Sequence, residues 1–107
     1  MTGFTTDISK DAEFGPNVLK VPGTVIVFFM QTWSQPCRMQ FPVVDKIAKD
    51  YQGKVKVVQV DIDSCTETAK LYGITNVPAI VVFKSGQKTG QNVGMTNRET
   101  ILKLAAL

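Results

Sequence analysis

The chain has 107 residues, 44% hydrophobic and 20% charged, with a net charge of +3 and no histidine. That length implies one domain, residues 1–107, around one modest core, and the composition is that of a folded globular protein rather than a disordered one. The basic residues, Lys46, Lys49, Lys54, Lys56, Lys84 and Lys88 among them, are dispersed rather than striped with aromatics, and no apolar run approaches the ~20 residues of a membrane span, which argues against nucleic-acid and membrane partners.

In chain order, Phe4 to Ile8 reads as a short first strand. Ser9 is placed to cap a short helix whose first turn carries Asp11 and Glu13, and Gly15-Pro16 should interrupt it. Val21-Pro22-Gly23 is a turn signal. Thr24 to Met30 is almost wholly apolar and partly β-branched, as expected of a central strand buried on both faces. A helix is expected from Pro36 to Tyr51, with an apolar face at Val44, Ile47, Ala48 and Tyr51 that continues back through Phe41 to Cys37. Cys37 should therefore point inward, and Ser34, in the preceding turn, should be the more exposed. Pro42 inside this helix removes one backbone hydrogen bond and should kink it, and Gly53 should close it.

Val55 to Ile62 is a second β-rich run, and Ser64-Cys65-Thr66-Glu67 has the form of a capping box opening a helix through Tyr72. Asn76-Val77-Pro78 leads into a third buried strand, Ala79 to Phe83. Lys84 to Gln87 reads as a hairpin turn and Lys88 to Val93 as an antiparallel edge strand, followed by Gly94. A second capping box, Thr96-Asn97-Arg98-Glu99, should open the last helix, whose apolar face is Ile101, Leu104 and Ala105. The order βαβαβαββα gives an α/β protein, a mixed sheet covered by helices on both faces.

The stretch Trp33-Ser34-Gln35-Pro36-Cys37 lies between a central strand and a helix N-terminus. A helix start offers unpaired N–H groups and the positive end of the dipole, which favour an anion such as a thiolate. A cysteine at Ser34 would make this stretch Cys-x-x-Cys, the two-thiol motif of disulfide exchange. Taken alone, Ser34 is an ordinary helix cap before a proline, Cys37 a buried core cysteine, and Trp33 either core or docking surface. Two cysteines without histidine make a poor metal site, and no metal or cofactor is expected. Met1 to Asp7 has no basic stretch followed by an apolar one, so no secretory leader is expected, and a cytoplasmic location is.

Trp33-x-x-Pro36-Cys37, Pro42, Val60-Asp61-Ile62-Asp63, Tyr72-Gly73-Ile74, Val77-Pro78, Phe83-Lys84-Ser85-Gly86 and Val93-Gly94 together resemble the thioredoxin family over essentially the whole chain. The resemblance implies a central five-stranded mixed sheet flanked by four helices, an active site at the start of the second helix, and a cis Val77–Pro78 peptide facing it. It implies a monomeric protein-disulfide reductase, recharged by a flavin- or ferredoxin-linked thioredoxin reductase. Disulfide-containing protein substrates would dock across Trp33, Gln35, Pro36, Val77, Pro78 and Gly94. The family's nucleophile position falls on Ser34, and Cys37 takes the place of the inner, resolving thiol. The reading adopted is an inactivating or trapping exchange of cysteine for serine, with a natural serine in a non-catalytic binding module as the alternative. Cys65, outside the motif, is either structural or the site of a side disulfide or dimer link. Other departures from the family pattern are Gln35 for glycine, Phe28 for a buried aspartate, Gln59 for a frequent lysine, and Met30 for a frequent tryptophan.

Overall fold

The computed structural model describes residues 3–107. Met1 and Thr2, the start of the segment read above as carrying no leader, lie outside the described residues. Five strands form one sheet in the order β1-β3-β2-β4-β5, from β1 (Thr6–Ile8), β2 (Thr24–Met30), β3 (Val55–Asp61), β4 (Ala79–Lys84) and β5 (Gln87–Val93). β1 and β2 run parallel to β3, while β4 is antiparallel to both β2 and β5. Three α-helices, α1 (Gln35–Asp50), α2 (Thr66–Leu71) and α3 (Arg98–Leu104), join an irregular helical segment over Asp11–Leu19 to give four helical elements.

The period of two along each strand splits the core into two layers. Ile26, Phe28 and Met30 of β2, Val57 of β3, and Ile80 and Val82 of β4 face Cys37, Val44 and Ile47 of α1 and Ile101 of α3. Val25, Val27, Phe29, Val58, Val60, Val81 and Phe83 face the other way, onto Phe14, Cys65, Ala69 and Ile74. There Phe83 meets Phe14 and Tyr72 edge-on, with ring centroids 5.7 and 5.3 Å apart. β5, at the sheet edge, is polar, which discourages pairing with another chain. Its hairpin turn has Ser85 and Gly86 both at positive φ, 48° and 83°, the conformation that matches strand twist in a two-residue loop.

Three helix starts differ from the sequence expectation, each because a distant or neighbouring side chain supplies the cap. Ser9 is not the cap of the first helical turn. Glu13 reaches back to the Ser9 and Lys10 amides, and the chain passes through Gly15-Pro16 as a wide helical turn over Gly15–Leu19, with Pro16 in its first turn, where its missing N–H is harmless. Ser64 does not cap α2. The Asp11 carboxylate does, accepting from the Thr68 amide at 2.8 Å and its hydroxyl at 2.7 Å, and from the Glu67 amide at 3.4 Å. Those bonds hold the Asp11 carboxyl below its ordinary pKa. Thr96 does not cap α3. Asn97 does, its Oδ1 accepting from the Thr100 amide at 2.9 Å.

Candidate functional site

β2 ends at Met30 and α1 begins at Gln35, so Gln31 to Ser34 must turn the chain within four residues. The turn closes through the Ser34 amide, which donates to the Gln31 carbonyl at 3.1 Å. Ser34 then takes the N-cap position with extended backbone, and its Oγ accepts the Cys37 N–H at 3.4 Å. Pro36 sits in the first turn, where its missing N–H is harmless and its fixed φ suits a helix. The side-chain oxygen of residue 34 thus faces a free amide in the first turn of α1, that of Cys37, at the positive end of the helix.

Cys37 lies one turn in, fully buried. Its surroundings are apolar, Phe28, Met30, Val44 and Ile80 among them, and no acid stands at position 28. Ser34 keeps 7% of its surface, so the expected order of exposure holds but the margin is small. The reason is the cap itself: the hydroxyl turns back onto the helix instead of outward. Gln35 and Pro36 are exposed beside it. Trp33 is 66% exposed, yet its ring is fixed at one edge, with Nε1 donating to Asp63 Oδ2 at 3.0 Å. The other oxygen of Asp63 accepts from the Gln31 amide side chain at 3.1 Å. Asp63 was visible in the sequence as part of a motif, but nothing local assigned it this task.

Two further loops close on this edge. The Val77–Pro78 peptide is cis, with Val77 half-buried and Pro78 buried. The Gly94 amide donates to the Pro78 carbonyl at 2.8 Å, and Gly94 holds φ at 95°, a conformation that disfavours a side chain. Gln40, one turn after Cys37, is fully buried, and its amide bonds the backbone of Thr96 through both ends. The sequence gives no sign of this residue beyond a polar letter among apolar ones. Trp33, Val93 and Met95 leave large apolar side chains exposed around these loops, a patch of the kind that marks interaction sites.

Cys65 is not brought to this site. It lies at the start of α2 in the opposite core layer, fully buried, with Sγ 3.8 Å from the Ile8 carbonyl. Burial first, then the charges of Asp11, Asp61 and Glu13, push its thiol up to about 11. A neutral, enclosed thiol is inert. Among the described residues, no three His, Cys, Asp or Glu side chains converge as a metal site.

A model of the thioredoxin family matches residues 5–106. The chain is 42% identical over 98 residues to thioredoxin C-2 of Corynebacterium nephridii, covering 92% of this chain and 88% of that protein. It is 43% identical over 91 residues to thioredoxin 1 of a Nostoc species, with 85% of each covered. Against chloroplastic thioredoxin M4 of Arabidopsis thaliana the identity is 41% over 94 residues, and here the chain spans 49% of the relative's length. The family match over nearly all of the sequence, with the sheet order and the cis-proline loop beside the α1 N-terminus, means that this chain belongs to the thioredoxin family.

Proposed function

We propose that this scaffold is that of a protein-disulfide reductase whose nucleophile position is occupied by Ser34. The single observation behind the proposal is the bond from the Cys37 N–H to Ser34 Oγ at the N-cap of α1. In a two-thiol cycle, a thiolate at position 34 attacks one sulfur of a substrate disulfide. A mixed disulfide forms and the first substrate sulfur leaves as a thiolate. The thiol of Cys37, one turn away, loses its proton and attacks the sulfur at position 34. That releases the second substrate sulfur and closes an internal disulfide, whose two electrons must come from an external reductant. A thioredoxin reductase, flavin- or ferredoxin-linked, fits that need. The fold supplies the N–H groups and the dipole that lower the attacking thiol's pKa.

With an alcohol at position 34, neither the attack nor the internal disulfide is available, so this chain does not turn over. Cys37 remains as a thiol without access. The setting implied is a cytoplasmic monomer. The test is Ser34→Cys assayed for catalytic reduction of a protein disulfide with dithiothreitol as electron source. Restored turnover, against none for the present chain, supports the proposal, and an inert Ser34→Cys protein removes it.

One observation favours a second reading, a binding module with a native serine. Phe28 and Gln59 are register partners on β2 and β3, and both are neutral where the family resemblance expects a buried aspartate and often a lysine. The acid that the resemblance expects to assist proton transfer is absent at position 28, and the frequent lysine is absent at position 59, which favours a chain that has no need of turnover. Sequencing position 34 in the source gene separates the two: a cysteine codon favours the reductase, a serine codon the binding module.

A further inference from the structure

We infer that Gln40 is a positioning residue: it holds the Val93–Thr96 loop in place beside Cys37, and so governs affinity for extended protein substrates rather than sulfur chemistry. The inference rests on the reductase proposal for its substrate class but not for its geometry. Gln40 Oε1 accepts the Thr96 N–H at 2.9 Å, and Gln40 Nε2 donates to the Thr96 carbonyl at 3.2 Å. The two residues are 56 positions apart, on α1 and on the loop between β5 and α3. A buried amide in an apolar layer is costly unless paired, and here both of its ends are paired with one backbone unit. An apolar side chain would fill the same space without fixing the loop.

The loop's other anchor is the Gly94 amide on the Pro78 carbonyl. Between and beside these anchors, Met95 and Val93 remain 49% and 52% exposed. Backbone is therefore fixed at Gly94 and Thr96 while the apolar side chains at 93 and 95 stay free to meet a partner. A loop ordered before binding saves the entropy of ordering it on binding. Because Gln40 is three residues from Cys37 on the same inward face of α1, it couples the loop to the same helix that carries the thiol site.

The test uses Gln40→Met, which keeps volume and removes both bonds. The first readout is hydrogen exchange at the Thr96 amide in the present chain. The expected result is protection in the parent and rapid exchange in the variant, with β4 amides unmoved. The second is kinetics in a Ser34→Cys background. KM for a protein disulfide should rise by about tenfold, the size of one or two lost hydrogen bonds. Its kcat, and the rate with a small aromatic disulfide, should stay within about twofold of the parent. A Thr96 amide that stays protected, or one that is released with KM unchanged, overturns the inference. An inert Ser34→Cys protein sinks the reductase proposal by itself, and the inference then stands or falls on the Thr96 exchange. If Gln40→Met does not fold, Gln40→Leu, which also removes both bonds to Thr96, takes its place with the same two readouts and the same outcomes.

Discussion

Phe28 on β2 stands directly opposite Gln59 on β3, and neither carries a charge. Phe28 is fully buried in the layer that holds Cys37, and Gln59 is nearly so. A lone aspartate at position 28 would be a buried charge among apolar side chains, whereas a lysine at position 59 would still meet Asp7, whose Oδ1 accepts from Gln59 Nε2 at 3.4 Å.

Phe28→Asp alone should therefore destabilise the protein by about 3–5 kcal/mol. Adding Gln59→Lys should recover at least about 1 kcal/mol through the pair. The sign of the pH effect follows from burial, which raises the introduced carboxyl above about 3.9 in the folded state. The unfolded state then ionises first, so the single variant should lose stability as pH rises above about 4, and the double variant should lose less. Urea unfolding at pH 5 and pH 8 reads both effects.

Asp11 caps α2 from another part of the chain, and its folded pKa lies below its ordinary value because Thr68 donates to it twice. A depressed carboxyl pKa contributes stability that is fully present above the unfolded value, about 3.9, and is lost as pH falls through the folded one. Asp11→Asn should lower the urea midpoint at pH 7, and the gap between parent and variant should close on acidification below about pH 4. A gap that persists at pH 2 would show that the carboxylate charge is not what caps the helix.

Cys65 gives the opposite slope. Its folded thiol is pushed up to about 11 by burial, whereas an unfolded thiol ionises near 8.5. Between those values the unfolded state releases a proton that the folded state keeps, so stability falls as pH rises. Cys65→Ala should remove that part of the alkaline loss. At pH 8 the native thiol should resist alkylation, which also argues against Cys65 as a side disulfide or dimer link.

Trp33 is the single tryptophan, so its emission reports on the site edge alone. Its indole N–H is tied to Asp63 Oδ2. Asp63→Ala should lower the fluorescence anisotropy of Trp33 while leaving far-ultraviolet circular dichroism unchanged. Unchanged anisotropy would mean that packing, not this bond, orients the ring.

The strands and the inward face of α1 were legible because burial on two faces leaves a run such as Val25 to Met30, and a helical period of apolar residues leads back to Cys37. The site itself was legible through Trp33, Ser34, Pro36 and Cys37, which sit together in the chain. What stayed hidden depends on distant partners. Ser64 has the local form of a cap, yet Asp11, more than fifty residues earlier, takes the task. Thr96 has it too, but its backbone is held by Gln40. The near-burial of Ser34 follows from one hydroxyl rotamer, which residue order does not encode.

Position 34, at the N-cap of α1, should favour an anion. The pH dependence of alkylation in Ser34→Cys measures this directly, with the present chain as the blank for Cys37 and Cys65. A new, fast-reacting thiol with an apparent pKa of roughly 7 is expected from its place at the α1 N-terminus. A thiol titrating at about 8.5 or higher, or none faster than the blank, would contradict it.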